Sequence, residues 1–463
     1  MNDVTRQAFA STDEIRASFS TAMSAMYRGE VPAYGKLMDL VVMVNAEVLR
    51  KDANLQYQLD ANDGLTRLSE ERHGAIRLGT AEELRTMGRL FVVMGMAPVG
   101  YYDLSEAGVP VHSTCFRPVE ADALARSPFR IFTSLLRLDL IADAALRHEA
   151  AETLASRSIF SPSLLALIRQ CERDGGLDHA DAARFVAEAL GTFRWHSTAN
   201  VSARLYRRLH DAHRLVADVV SFRGPHINHL TPRTLDIDAV QARMPDVGIT
   251  PKAVVEGPPR RACPVLLRQT SFKALEEAVS FRDGDVWQGG SHTARFGEIE
   301  QRGIALTPRG RALYDRLLGT ARAACPPAAD GSNADGYRQA LADAFADFPD
   351  DWQSLRRAGL GYFRWSLTGH PPDGLVTGDV EAVLAAGVLR CDPITYEDFL
   401  PVSAAGIFQS NLGDAAAQDF TASPNRTRFE ADLGAPVLDE FAQYAEIERR
   451  SLAHCFAALR AAR

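Results

Sequence analysis

Hydrophobic and polar positions change their spacing several times along the chain, and each change marks an element. The first fifty residues read as helical: Ser11, Thr12 and Asp13 offer a cap before Glu14, and a second helix fits residues 34–51 after Pro32. The spacing changes at His73-Gly-Ala-Ile-Arg-Leu78, which suits a short strand. Thr80-Ala-Glu-Glu83 has the form of a capping box, with Thr80 serving the first turn and Glu83 reaching back. The helix it opens runs to about Val93. Gly95 and Pro98 break it, and residues 99–104 and 111–119 read as strands. From residue 132 to about 222 the spacing predicts helix throughout, with Ile131, Leu135, Leu138 and Ala142 on one face and Leu164, Leu165 and Ile168 on another.

The strand-and-helix spacing of residues 73–119 then returns. Residues 226–230 are strand-like, 235–243 suit a helix, and 253–256, 263–269 and 292–301 suit strands. The breaks match between the two stretches: Gly95-Met-Ala-Pro98 stands against Gly248-Ile-Thr-Pro251. The pattern predicts an α+β protein in which two strand–helix–strand–strand modules pair edge to edge into one sheet. The expected boundaries are an N-terminal helical segment 1–55, a first module 56–125, a helical insertion 126–222, a second module 223–320 and a C-terminal helical or lid region 321–463. Beyond residue 336 helix and loop resume, with a Gly-, Ser- and Asn-containing segment at 402–412.

Composition narrows the function classes. Of 463 residues, 46% are hydrophobic and 24% charged, so a packed core is feasible. The net charge of -8 and the short arginine clusters (Arg204, Arg207 and Arg208; Arg260 and Arg261) give no basic stripe for nucleic acid. The longest apolar stretch, 90–98, falls short of the about 18 residues of a membrane span. The first residues, MNDVTRQAF, lack the charged start and apolar run of a secretion signal. Six cysteines with no CxxC pair fit reduced thiols in a cytoplasm. Walker A, GxGxxG, GxSxG, HExxH and HxH motifs are all absent.

Chemistry must therefore come from scattered residues. Of twelve histidines, His148, His179, His210, His213 and His454 lie in polar or mixed helical runs. His73 opens a strand, His229 lies in a strand of the second module, and Glu298 lies in its last strand. Two imidazoles and a carboxylate suit Fe(II) or Mn(II) and leave adjacent coordination positions open for a chelating substrate and O₂. Two alternatives stay open. His226 and His229 differ by three, so on a strand they point to opposite faces, and aligning Gly95 with Gly248 sets His226 opposite His73. Glu298 and Glu300 share a strand face, as does His292. Arg77 follows His73 by four, on the same strand face with Cα atoms about 13 Å apart. Its guanidinium matches a carboxylate bidentately; the plainer reading is a surface arginine. In the 402–412 segment small residues let backbone amides approach a ligand, and Val402 and Ser403 are the candidates there; the plainer reading is a buried loop.

The segment Glu298-Ile-Glu-Gln-Arg302 resembles the Glu-Ile-x-Gln-Arg stretch of 4-hydroxyphenylpyruvate dioxygenases, where the Glu binds iron. Four longer segments are similar to the bacterial 2-oxoadipate dioxygenase/decarboxylase family of the vicinal oxygen chelate superfamily: 71–77, 224–233, 296–303 and 399–411. The resemblance covers nearly the whole chain. It implies a vicinal-oxygen-chelate-like central β-sheet from two βαβββ-type modules, with a helical insertion and helical N- and C-terminal extensions. It implies Fe(II) held by His73, His229 and Glu298, with His226 and Glu300 as second choices; the Ile-Asn-His pattern favours His229. Arg77 would clamp the distal carboxylate of a dicarboxylate, and Val402 and Ser403 would line the substrate. The implied reaction takes 2-oxoadipate and O₂ to 2-hydroxyglutarate and CO₂ by intramolecular oxidative decarboxylation and hydroxylation, in lysine breakdown, with no protein partner required. A glyoxalase-type isomerase or lyase, or a non-catalytic ligand binder, is the rival reading on the same scaffold.

Overall fold

The computed structural model describes residues 9–60, 64–105, 108–328, 331–369, 379–400 and 425–461. The chain is an α+β protein that divides into two compact units. The first comprises Met1–Lys252, Gln269–Glu300 and Phe399–Val437; the second comprises Ala253–Arg268, Gln301–Asp398 and Leu438–Arg463.

The strands, in chain order, are β1 (Arg72–Leu78), β2 (Ala97–Asp103), β3 (Val111–Arg117), β4 (Phe129–Leu136), β5 (His229–Pro232), β6 (Leu267–Ser271), β7 (Glu276–Asp283), β8 (Val286–Thr293), β9 (Glu298–Arg302), β10 (Phe363–Leu367) and β11 (Leu389–Pro393). The main sheet of the first unit has the order β2-β3-β4-β1-β5. β1 is parallel to β4, with His73 opposite Arg130, and antiparallel to β5, with Ala75 opposite His229. A strand flanked on both sides should read as a continuous apolar run. β1 instead buries His73 and Arg77, and buried polar residues are the ones that ask for an explanation.

β1, the helix Ala81–Val93, β2, β3 and β4 form a βαβββ unit. β4 corrects the expectation of helix from residue 132 onward. Every residue of Phe129–Leu136 is buried, Arg130, Thr133 and Ser134 included, so both strand faces are covered and the alternation that would mark a strand is lost. The helical block begins instead at Ala144 and continues through Ala144–Ala155, Pro162–Asp174, His179–Thr192, Ala203–Ala212 and Arg214–Ser221. In the second stretch, β5 and the helix Ile237–Arg243 match expectation, but residues 253–256 form no strand. Gly257, at φ 110°, and the prolines Pro258 and Pro259 turn the chain there. The single strand expected over 292–301 is two, β8 and β9. Between them Gly297 packs against the Phe272 ring, where a Cβ would collide, and its carbonyl accepts from Phe272 N at 3.0 Å. The β7–β8 hairpin also escapes the pattern, because most of its residues are exposed on both faces.

Two N-terminal helices brace the strand ends. Thr12–Glu30 starts on a true capping box, with Glu14 N donating to Ser11 Oγ at 3.2 Å and Ser11 N to Glu14 Oε2 at 2.7 Å. It buries Ile15, Phe19, Met23 and Tyr27, and the Tyr27 hydroxyl shares its proton between the carbonyls of Asn228 and Phe296, at 3.0 and 2.7 Å. These carbonyls sit beside His229 and near Glu298, so the helix ties two separated segments together. From Pro32–Lys51, Asn45 donates to Arg233 O and accepts from Leu235 N at the end of β5. At the Thr80 cap, Glu83 N donates to Thr80 Oγ1 as expected, but the Glu83 carboxylate reaches one residue further, to Gly79 N at 2.7 Å, and pairs with Arg157.

The second unit is mainly helical, with the antiparallel pair β10–β11, which corrects the expectation of helix and loop alone beyond residue 336. Trp365, Val383, Val388, Leu389, Cys455 and Leu459 form a core there. Among the described residues, no helix is long and apolar enough to cross a membrane.

Candidate metal centre

Three strands deliver three side chains to one place. β1 supplies His73, the first residue of β5 supplies His229, and the first residue of β9 supplies Glu298. β9 is brought alongside by a parallel bridge between Arg233 and Glu300 and by Thr234 N donating to Glu300 O at 2.7 Å. One donor atom from each of His73, His229 and Glu298 lies within 4.8 Å of the others, and all three residues are buried. Glu298 Oε2 stands 3.2 Å from His229 Nε2 and 4.0 Å from His73 Nε2. The two imidazole rings meet edge to face, with centroids 5.4 Å apart.

The surrounding polar groups orient these donors. Gln269, on β6, donates to Glu298 Oε1 at 2.5 Å, which leaves Oε2 turned to the histidines. His73 Nδ1 stands 2.9 Å from Glu300 Oε2, so its Nε2 is the nitrogen presented to Glu298. A carboxylate behind a histidine is the arrangement that fixes ring orientation and raises basicity in metal sites. Behind Glu300 runs a buried chain of charge. Arg130 Nη1 lies 3.9 Å from Glu300 Oε1, and Arg130 Nη2 donates to Glu71 Oε1 at 2.6 Å. Arg233 and Arg67 donate to Glu71 Oε2 at 3.0 and 3.2 Å. Each ion in such a chain costs several kcal/mol to desolvate, which only close pairing offsets.

The chemistry of the donor set fits a divalent metal. Burial, reinforced by the charges of His73 and Arg77, holds the His229 imidazole well below the ordinary histidine range, so the ring is neutral. Neither ring nitrogen of His229 makes a hydrogen bond among the described residues. Leaving a buried polar group so costs about 1–3 kcal/mol, which coordination through a lone pair would relieve. Two imidazoles and a carboxylate are the ligand types of non-haem iron and of manganese.

The other residues singled out by sequence lie elsewhere. His226 precedes β5 and stands with Nε2 3.3 Å from Asp218 Oδ1. His292, on β8 rather than on the strand of Glu298, places Nε2 2.9 Å from the same oxygen. Arg77 is buried, not at the surface, and donates from Nη1 to Asp218 Oδ2 at 2.5 Å. Val402 and Ser403 lie outside the described residues, but Phe399, at the start of their segment, sets its ring 4.9 Å from that of His73. Sequence reasoning missed Glu71, Arg130, Asp218 and Gln269. For Arg130 and Asp218 the one signal is a charge inside an apolar run, in Phe129-Arg-Ile-Phe132 and Val216-Ala-Asp-Val-Val220.

Two adjoining strands of a mixed sheet present a histidine each, a strand of a separate two-stranded ladder adds a glutamate, and together they define a protein with a buried constellation suited to a metal. A family model described as 2-oxoadipate dioxygenase/decarboxylase matches residues 19–411, and the chain belongs to that family. It is 58% identical to the 2-oxoadipate dioxygenase/decarboxylase of Pseudomonas putida over 97% of this chain and 98% of that one. Against the protein of the same name from Escherichia coli K12 it is 54% identical over 96% and 98%. The crystal structure of the hydroxyglutarate synthase from Pseudomonas putida in complex with 2-oxoadipate superposes with a TM-score of 0.91 at 57% identity, covering 99% of this chain and 100% of that one.

Proposed function

We propose that this protein is an Fe(II)-dependent dioxygenase/decarboxylase that converts 2-oxoadipate and O₂ to 2-hydroxyglutarate and CO₂, as a cytoplasmic step of lysine breakdown. The observation that carries the reading is the buried convergence of His73, His229 and Glu298 in a chain of this family. The match to a relative solved with 2-oxoadipate supports the substrate.

His73, His229 and Glu298 would hold the metal. When bound, iron with two imidazoles and one carboxylate supplies adjacent open positions where a 2-oxo acid and O₂ meet. The reaction balances without a second reductant. The bond between the carboxylate and the keto carbon breaks and releases CO₂. One oxygen atom of O₂ enters the new carboxylate, and the other becomes the hydroxyl on the adjacent carbon. The protein residues bind and orient. Gln269 and Glu300 hold Glu298 and His73 in place, the burial of the centre excludes water, and the neutral His229 offers its lone pair. Arg77 would receive the distal carboxylate through charge-assisted hydrogen bonds, and Val402 and Ser403 would contribute to the substrate site.

Fe(II)-loaded protein incubated with 2-oxoadipate should consume O₂ and release CO₂ in equal amounts, with 2-hydroxyglutarate as the product. No O₂ consumption with 2-oxoadipate or with shorter and longer 2-oxo acids would overturn the reading, and turnover under anaerobic conditions would replace it with metal-dependent isomerase or lyase chemistry.

A further inference from the structure

Asp218 is the one charged residue among the seven buried positions of the helix Arg214–Ser221. Both of its oxygens are taken. Oδ2 receives Arg77 Nη1 at 2.5 Å. Oδ1 lies 2.9 Å from His292 Nε2 and 3.3 Å from His226 Nε2. His292 is itself held, with its Nδ1 2.8 Å from the Tyr206 hydroxyl. The carboxylate cannot rotate without losing these contacts, so it is a rigid post. Arg77, by contrast, carries its guanidinium on a long side chain with many rotamers, and a fixed ion-pair partner removes that freedom before any ligand arrives.

We propose that Asp218 is the positioning residue that aims the Arg77 guanidinium and thereby sets the preference of the site for 2-oxo acids bearing a second carboxylate; this rests on the reading of Arg77 as the carboxylate clamp. A guanidinium has five N–H donors in a planar fork, so anchoring one nitrogen on Asp218 restricts how that plane can turn. That restriction matters for recognition because bidentate pairing with a carboxylate is directional. The opposing effect is that the negative charge of Asp218 weakens the pull of Arg77 on a second anion. The two effects predict opposite signs on removal of the charge.

The test compares 2-oxoadipate with 2-oxohexanoate, which has the same carbon chain and lacks the distal carboxylate, on the Fe(II)-loaded full chain. In Asp218→Asn the KM for 2-oxoadipate should rise about 10- to 100-fold, as for a clamp misplaced by about an ångström. The kcat should change little, the KM for 2-oxohexanoate should not move, and iron content should stay at the wild-type level. The ratio of kcat/KM values for the two substrates then falls by the same factor. An unchanged or increased ratio overturns the proposal. Should Asp218→Asn fail to fold, His292→Gln reads the same question by loosening Oδ1: a several-fold lower ratio supports the proposal, and an unchanged ratio overturns it. Arg77→Ala separates the two levels of inference. If that variant keeps the wild-type ratio, the clamp reading itself fails. If it loses the ratio while Asp218→Asn keeps it, only the role of Asp218 fails. In Arg77→Ala/Asp218→Asn the ratio should be no lower than in Arg77→Ala alone.

Discussion

The first unit holds two buried clusters built from the same materials, and β1 contributes to both. Around His73 stand His229 and Glu298; around Arg77, four residues along, stand Asp218, His226 and His292. Each is two histidines and a carboxylate in a dry interior. Their difference lies in what meets the carboxylate. At Asp218 the cation is a guanidinium from the chain itself; burial pushes the acid up, but His226 first, then Arg77 and the hydrogen bonds from His226 and His292, hold it well below the usual carboxylate range. At Glu298 one oxygen takes the Gln269 amide and the other faces two imidazoles, and one of them, His229, is neutral with two ring nitrogens that make no hydrogen bond among the described residues. The lesson is that residue type does not separate a metal site from a structural ion cluster. What separates them is the partner of the carboxylate: Asp218 is already paired with the Arg77 guanidinium, whereas the donor atoms of His73, His229 and Glu298 converge within 4.8 Å of one another.

The largest effects should come from attacking that distinction at its centre. His73→Ala and His229→Ala should each abolish iron binding and reduce O₂ consumption to background, whereas His226→Ala should retain iron; metal analysis of the three side by side decides it, and iron loss in His226→Ala alone would reverse the assignment. Arg77→Ala should raise the KM for 2-oxoadipate by about 30-fold or more, from the 2–5 kcal/mol that losing one partner of a buried charge pair costs, with iron retained. The same variant leaves Asp218 buried without its cation, so thermal unfolding should show a loss of about 3–5 kcal/mol. Glu300→Gln keeps the shape behind His73 and removes the charge. Iron affinity, measured by chelator competition, should fall about 10- to 100-fold, with a small effect on folding.

The mildest test concerns pH and the helix that carries Asp218. His213 caps that helix by accepting from Leu215 N at 3.1 Å, which requires a neutral ring. Burial first, and then the charge of Arg77, push its pKa down to about 4. The ordinary value of about 6.5 applies in the unfolded chain. The unfolded state therefore takes up the proton first. The contribution of His213 to stability is complete above pH of about 6.5 and is lost as pH falls toward 4, at most about 3 kcal/mol. In His213→Asn, a cap that does not titrate, the melting temperature of the metal-free protein should fall less steeply over that window; an identical slope would show that the cap is not the group being titrated.

Much of the framework is legible in the chain. The N-terminal cap, β1 with its following helix, β2, β3 and most of the helical block follow from local spacing and caps. His73, His229 and Glu298 stand out without any geometry, through the Glu298–Arg302 stretch and its resemblance to known dioxygenases. β4 is hidden because a strand buried on both faces has no alternation to show. The β7–β8 hairpin is hidden for the opposite reason, since exposed strands need no apolar face.

Sequence by itself determined which residue types and which local elements were available: histidines and a glutamate on separated short strands, and an arginine four places after one of those histidines. It left His226 beside His229, and Glu300 beside Glu298, as open choices, because the first pair lie on one short segment and the second pair share a strand face. Tertiary structure separated them. The β1–β5 ladder and the Arg233–Glu300 bridge turn His229 and Glu298 toward His73. The helix Arg214–Ser221 brings Asp218 to Arg77 across 141 residues of sequence, and to His226 as well. Pairings over such distances leave no local pattern. They are set by which buried charge finds a partner when the interior excludes water, and that is decided only by the packed fold.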